Sequence, residues 1–299
     1  MTELEHFLLY VAAPVVLFLA LIEGLVLSIR GRFNWLAFGA SAFDLVARIL
    51  INIVVPFSLA SPLIGWAIKH RLTTIAIDGW LSVLLLFIGM EFCYYWFHRA
   101  SHRIRWFWLN HAIHHSSNDF NLSAAIRIGV WGKFIGTAVF FAPLVYLGFD
   151  VRTVFATLSL NLLYQFWIHA QWIPKLGFLE GILNTPSAHR VHHAANAEYL
   201  DANYGGVLII FDRLFGTYVA EREDVPCRYG LVHPLESNNP LVIEFEQWRG
   251  LVRDLWHSGS WRNGLLYLVK PPGWNAHGAG STTEELRAAA TPISEKNIV

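Results

Sequence analysis

Charge is scarce in this sequence. Only 15% of its 299 residues are Asp, Glu, Lys or Arg against 55% hydrophobic, and the 22 basic residues balance the 22 acidic ones. An even balance offers no basic surface to nucleic acid. A mean hydropathy of +0.40 is too high for an ordinary soluble protein. Cysteine is scarcer still: Cys93 and Cys227 cannot build a disulfide framework. Cys93 lies in an apolar run, where a small buried side chain is the default. The His-Glu-x-x-His signature of zinc proteases is absent. Soluble di-iron carboxylate bundles need Glu-x-x-His on two helices; only Glu3 and His6 fit, in the N-terminal tail. A cleaved signal would open with a positive region, whereas this chain opens with Glu3 and Glu5. There is no internal repeat.

Histidine, by contrast, is plentiful and clustered. Eight of the fourteen fall in three boxes: His98 and His102; His111, His114 and His115; His189, His192 and His193. Spacings of three and four put each box on one helix face. Neutral imidazole is the commonest side-chain ligand for a transition metal, and eight exceed the roughly four to six ligands of one ion. The spacing therefore predicts a histidine-only dinuclear metal site. It does not name the metal, since imidazole suits Zn, Cu, Fe and Ni. An oxygenase, a zinc-dependent membrane hydrolase and a non-catalytic metal or lipid binder all stay open on spacing alone. His169, in NLLYQFWIHAQW, is either a single interfacial histidine or a ninth ligand.

The expected fold is all-α: a multi-span integral membrane protein with a histidine-rich helical cap on the cytoplasmic side. Residues Phe7 to Ile29 are long enough for a retained span, which needs about 20 helical residues. Glu23 within it should face protein rather than lipid. A second stretch, Trp35 to Ile68, is one kinked span or a span plus an interfacial piece, broken at Pro56 and Pro62. Asp44 and Arg48 in it can pair at i,i+4. The third span, about Ile75 to Phe97, feeds the first box; Glu91 on its histidine stripe either orients a histidine or joins spans. A fourth, Ile128 to Leu147, and a fifth, Val151 to Trp172, should form a tight hairpin. Asn184, Thr185 and Pro186 read as the start of the third-box helix. Asp212 and Arg213 read as the polar side of an amphipathic segment. The chain divides into N-terminal spans (1–74), an embedded histidine-box domain (75–220), a cytoplasmic cap (221–274) and a tail (275–299) whose composition predicts disorder. Arg30, Arg32, Arg99, Arg103, Arg105, Arg127 and Lys133 mark the box side as cytoplasmic, against Lys69, Arg71 and Arg152 on the other.

The stretches YYWFHRASH, NHAIHHSSNDFNLSAAIR, NLLYQFWIH, LNTPSAHRVHH, NYGGVLIIFDRLFGTY, YGLVHP and PPGW, in that order between residues 90 and 274, resemble the fatty acid hydroxylase/sterol desaturase superfamily of membrane di-iron oxygenases. The resemblance is greatest to its alkylglycerol monooxygenase branch. It implies two iron ions on the eight box histidines, with His169 matching a further histidine of the pattern. It also implies O2 as co-substrate, an external reductant (a tetrahydropterin or an electron-transfer partner protein), a lipid substrate drawn from the bilayer, and hydroxylation of a C–H bond. The animal ether-cleaving enzymes are expected to carry an acid directly after the first box, where this chain has Arg103. A sterol, fatty acyl or polar-lipid hydroxylase or desaturase is the alternative.

Overall fold

The computed structural model describes residues 3–290, the side chains of Glu5 and Leu9 excepted. The expected all-α character holds: helices carry the architecture, and among the described residues extended pairing is limited to isolated bridges such as Leu183–Leu208. Among the described residues three helices are long and apolar enough to cross a membrane, at Tyr10–Ile29, Trp35–Val54 and Trp80–Arg103, and the chain is an integral membrane protein.

We number the helices that build the site. α1 (Ala13–Ile29) continues helical turns that begin at Glu3. Glu23 on it does face protein: its carboxylate accepts from the Leu122 amide at 2.6 Å and from Trp172 Nε1 at 2.9 Å. The second apolar stretch resolves into α2 (Trp35–Val54), capped by the Asn34 side chain, and a short α3 (Ser61–Lys69), with Pro56 in the break. Asp44 and Arg48 do not make the expected ion pair. Asp44 instead accepts from the amides of Ile128 and Gly129, both at 2.9 Å, because two unpaired backbone donors lie closer than the guanidinium.

α4 (Trp80–Arg103) is one unbroken helix through the first box. A single extended residue, Ile104, turns the chain into α5 (Arg105–His115), which carries the second box. The expected fourth span is not one helix. Gly129 and Gly136 adopt φ of +87° and +80°, conformations no right-handed helix contains, so residues 128–147 break into short turns. α6 (Val151–Trp167), capped by Asp150, is 17 residues or about 25 Å long, short of the roughly 30 Å of bilayer hydrocarbon. Leu86, Met90, Tyr94, Phe141 and Val154 form the apolar core that ties α4 to these pieces.

α7 (Pro186–His192) carries the third box; Thr185 caps it by accepting from the Ala188 amide at 3.1 Å, with Pro186 in the first turn as expected. Two further helices, α8 (Pro240–Trp256) and α9 (Trp261–Val269), lie over α5 through buried Leu109, Leu251 and Tyr267. Burying one such leucine contributes about 1.5–3 kcal/mol. The Arg105–Asp254 ion pair at 2.6 Å fixes their register. Residues 275–290, for which composition predicts disorder, instead fold back as a strap ending in α10 (Thr283–Ala290). Thr283 donates to Asp201 at 2.6 Å and Glu284 pairs with Arg103, contacts a composition argument does not see. The rest of that tail, 291–299, lies outside the described residues.

Candidate metal centre

The nine histidines singled out above converge. His98, His102, His111, His115 and His192 form one group, and His114, His169, His189 and His193 a second; within each, one nitrogen per ring lies within 4.8 Å of all the others. The groups abut, with the rings of His115 and His193 stacked at 4.3 Å between centroids. Helix geometry explains the sorting. His111 and His115, four apart on α5, lie about 40° apart and join the first group, while His114, about 60° from His111 and about 100° from His115 around the helix, joins the second.

Hydrogen bonds on the far side of the rings fix which nitrogen is free. His98 Nδ1 donates to the Tyr204 carbonyl at 2.9 Å, His192 Nδ1 to Ala202 at 2.9 Å, His114 Nδ1 to Arg127 at 2.8 Å and His169 Nδ1 to Gln165 at 2.8 Å. A carbonyl only accepts, so each Nδ1 carries the proton and each neutral ring presents a bare Nε2 lone pair. His114 and His169 then aim two lone pairs at each other across 3.4 Å. A cation beside them would relieve that repulsion. His102 Nε2 and His193 Nε2 are buried with no hydrogen-bond partner. An all-imidazole donor set, with lone pairs converging and partners orienting the rings from behind, fits a pair of transition-metal ions such as iron.

Electrostatics agree. Burial first, then the neighbouring imidazoles, pushes the pKa of His111, His115, His189 and His193 well below its ordinary value, and that of His192 likewise. Burial takes His114 down to about 4. Neutral imidazole is the form that binds metal.

One loop supplies much of the support, and the sequence did not announce it. Asp201 and Asn203 sit at φ of +55° and +59°, a left-handed pair that Asp and Asn tolerate. This turn aims the Ala202 and Tyr204 carbonyls at His192 and His98. Asp201 also approaches His102 Nδ1 at 3.5 Å and pairs with Arg103 at 2.6 Å. Burial opposes the Asp201 charge, but His102, Thr283 and Arg103 together hold its pKa at about 2. Asp212 is fully buried rather than on a polar helix face. It accepts from the amides of Tyr204 and Gly205, both at 2.7 Å, and from Thr217 at 2.6 Å. Desolvation raises its pKa to about 6 against those hydrogen bonds. Glu91 touches no histidine. It accepts from the amides of Val207 and Leu208 at 2.8 and 2.7 Å and from Asn161, so it joins α4 to α6 and to this loop.

Two cavities meet the histidines from different sides. One of about 360 Å³ is lined by His98, His111, His114 and His169 together with Tyr94, Phe97, Phe141 and Leu162. The other, about 590 Å³ and more polar, lies under α8, α9 and the strap and is lined by His102, His115, His192 and His193.

Residues 83–217 match the fatty acid hydroxylase family. Human alkylglycerol monooxygenase is 43% identical over 207 residues, covering 69% of this chain and 45% of its own. The Caenorhabditis elegans alkylglycerol monooxygenase is 36% identical over 210 residues, covering 65% and 40%. The ornithine lipid hydroxylase OlsE of Rhizobium tropici is 28% identical over 144 residues, covering 47% and 44%. The chain thus spans a little under half the length of the curated relatives it matches. No solved structure matches it. The matched segment holds all nine histidines of the two groups, and on these grounds the chain belongs to the fatty acid hydroxylase family.

Proposed function

We propose that this protein is a membrane-bound di-iron oxygenase that hydroxylates a lipid C–H bond with O2, with alkylglycerol ether lipids as the first substrate class. His98, His102, His111, His115 and His192 hold one iron, and His114, His169, His189 and His193 the other. The observation that carries this reading is the pair of outward-pinned imidazoles, His114 and His169, whose lone pairs face each other beside an apolar cavity. Likeness to alkylglycerol monooxygenases and to an ornithine lipid hydroxylase supports a lipid substrate.

Bound there, iron supplies O2 activation, with electrons from an external reductant, a tetrahydropterin or a redox protein. The chain's own residues do the rest. Backbone carbonyls hold four rings in one tautomer, which fixes their lone pairs before metal arrives. Tyr94, Phe97, Phe141 and Leu162 line an apolar cavity for the lipid chain at His98, His111, His114 and His169. Phe120, stacked on Tyr229 and on His169, covers the second group and keeps water from it. Hydroxylation at the carbon next to an ether oxygen gives a hemiacetal, which collapses to an aldehyde and an alcohol. Residues 1–74 serve as membrane anchor, 75–220 as the catalytic domain and 221–274 as a cap on the cytoplasmic side. The excess of arginine around the boxes supports that orientation.

The test is iron-loaded protein in detergent with labelled alkylglycerol and reduced pterin. Aldehyde release that requires O2 supports the reading. Oxidation of a sterol, fatty acyl or polar lipid instead keeps the oxygenase and replaces the substrate. Turnover without O2 favours a zinc-dependent hydrolase and overturns the proposal.

A further inference from the structure

Other cations drawn into this fold, Arg127 and Arg190 buried and Lys133 half-buried, are matched by partners. Arg127 donates to Ser41 at 3.1 Å, to Ser116 at 3.2 Å and to the Ala37 carbonyl at 2.8 Å. Arg190 grips Glu221 through two nitrogens, at 2.8 and 2.7 Å. Lys133 donates to the carbonyls of Asn52 and Val55. Arg48 breaks the pattern. It lies inside α2, a helix apolar enough to cross a membrane. Its Nε is shielded from solvent without a partner, and none of its guanidinium nitrogens makes a hydrogen bond or ion pair among the described residues. An unpaired cation at such a place is costly and marks a functional site by default.

The neighbouring acids do not pair with it, although Glu244 Oε1 is itself buried without a hydrogen-bond partner. Asp44, one turn earlier, is held by the Ile128 and Gly129 amides, and Glu244 accepts from the Val130 amide at 3.4 Å. Neither makes an ion pair with Arg48 among the described residues. What the guanidinium faces instead is empty volume. Arg48 lines the 360 Å³ cavity that reaches His98, His111, His114 and His169, where Lys133 also sits with one ammonium hydrogen unused. It equally lines a second, largely apolar groove of about 650 Å³ between α1, α2 and α6, walled by Val16, Leu45, Phe155 and Leu163, with Arg152 as the other cation on its lining. The two share Arg48, Ala125, Ile128, Leu162 and Phe166 as lining, so Arg48 stands on the wall between the flank of the bundle and the cavity at the histidines.

We propose that Arg48 is the head-group residue of the lipid site, and that within the ether-lipid class the preferred substrate carries an anionic group, phosphate or carboxylate, which the guanidinium takes, neutral alkylglycerol being the weaker ligand. A planar fork of donors suits either oxyanion in two parallel hydrogen bonds. The apolar groove selects a lipid over a free anion. Arg103, the basic residue that follows the first box, is not this group, because Asp201 and Glu284 already occupy it. The proposal rests on the reading of the inner cavity as the lipid site, and it is tested by binding rather than turnover, so that the two can fail separately.

Wild type, Arg48→Gln and Arg48→Lys would be prepared full length in neutral detergent, with metal content measured to confirm that each variant keeps the site. Displacement of a fluorescent lipid would then be followed with hexadecylglycerol phosphate, palmitate, hexadecylglycerol and inorganic phosphate. A charge-assisted contact predicts that an anionic lipid binds wild type at least about tenfold more tightly than hexadecylglycerol. Arg48→Gln should abolish that preference and Arg48→Lys restore most of it, with inorganic phosphate failing to compete at the same concentrations. Equal binding of neutral and anionic lipids to wild type would overturn the proposal. So would a preference that survives Arg48→Gln, or competition by inorganic phosphate as strong as by the lipid phosphate. If anionic lipids bind as predicted but none is oxidised in the O2 assay, the hydroxylase reading fails and the anion site stands.

Discussion

Asp212 is the place where a single change should propagate from loop to metal. Its carboxylate satisfies three buried donors, the amides of Tyr204 and Gly205 and the hydroxyl of Thr217. Leaving a buried donor unsatisfied costs about 1–3 kcal/mol, so Asp212→Ala should cost roughly 3–6 kcal/mol even allowing for relaxation. Against a typical total stability of about 5–15 kcal/mol, that variant sits at the edge of folding. Asp212→Asn separates the effects. The amide oxygen in the Oδ1 place still accepts from the Tyr204 amide and Thr217, while its NH2 group faces the Gly205 amide and leaves that one donor unsatisfied; the cost should fall to about 1–3 kcal/mol. The same turn carries the Tyr204 carbonyl that orients His98, and loss of such a supporting contact typically weakens metal binding about 10–100-fold. The assay is thermal unfolding in detergent beside metal titration of the apo protein. Asp212→Asn should remain folded with metal affinity reduced for the His98 group. Wild-type stability and metal affinity in Asp212→Ala would refute the clamp.

Further predictions concern other parts of the frame. Glu244 lies buried beside Asp44, and burial first, then Asp44, raises its pKa from 4.5 to about 8. The folded state therefore holds a proton that the unfolded chain releases, and stability should fall as pH rises from about 4.5 through about 8. Melting temperatures across that window should show the decline, and Glu244→Gln should flatten it. A side chain on Gly205 would place its Cβ 2.2 Å from the Leu208 carbonyl oxygen, so Gly205→Ala should lower both melting temperature and metal content by displacing the 201–208 loop. In a background lacking Cys93 and Cys227, cysteine at Glu223 should be labelled from the cytoplasm and cysteine at Asp78 from the opposite side; labelling of both from one side would refute the orientation.

The three boxes were legible in the sequence because metal-ligand spacing and the helical period coincide. The same periodicity shows why His114 parts from His111 and His115. His169 lay outside any box, and only packing of the end of α6 against α7 brings it within 3.1 Å of His189. The partners behind the rings were not legible, since most are backbone carbonyls that any residue carries. Asp201 shows the limit well: its place at His102 depends on a left-handed φ that the letters DANY permit but do not require. Asp44 and Asp212 were misjudged for one reason. The sequence offered Asp44 an i,i+4 partner and Asp212 a polar helix face, whereas both carboxylates are held by backbone amides from elsewhere in the chain. The long apolar run after residue 128 looked like a span because hydropathy averages over the two glycines that break it.

The most direct test of the account is metal stoichiometry in protein loaded with ferrous iron, purified without oxygen and quantified by amino-acid analysis. Two imidazole groups predict two metal ions per chain. The double change His114→Ala with His169→Ala should remove the second ion and leave the first, and His98→Ala with His192→Ala should do the reverse. One ion per wild-type chain, or a metal content unchanged by either double variant, would contradict it.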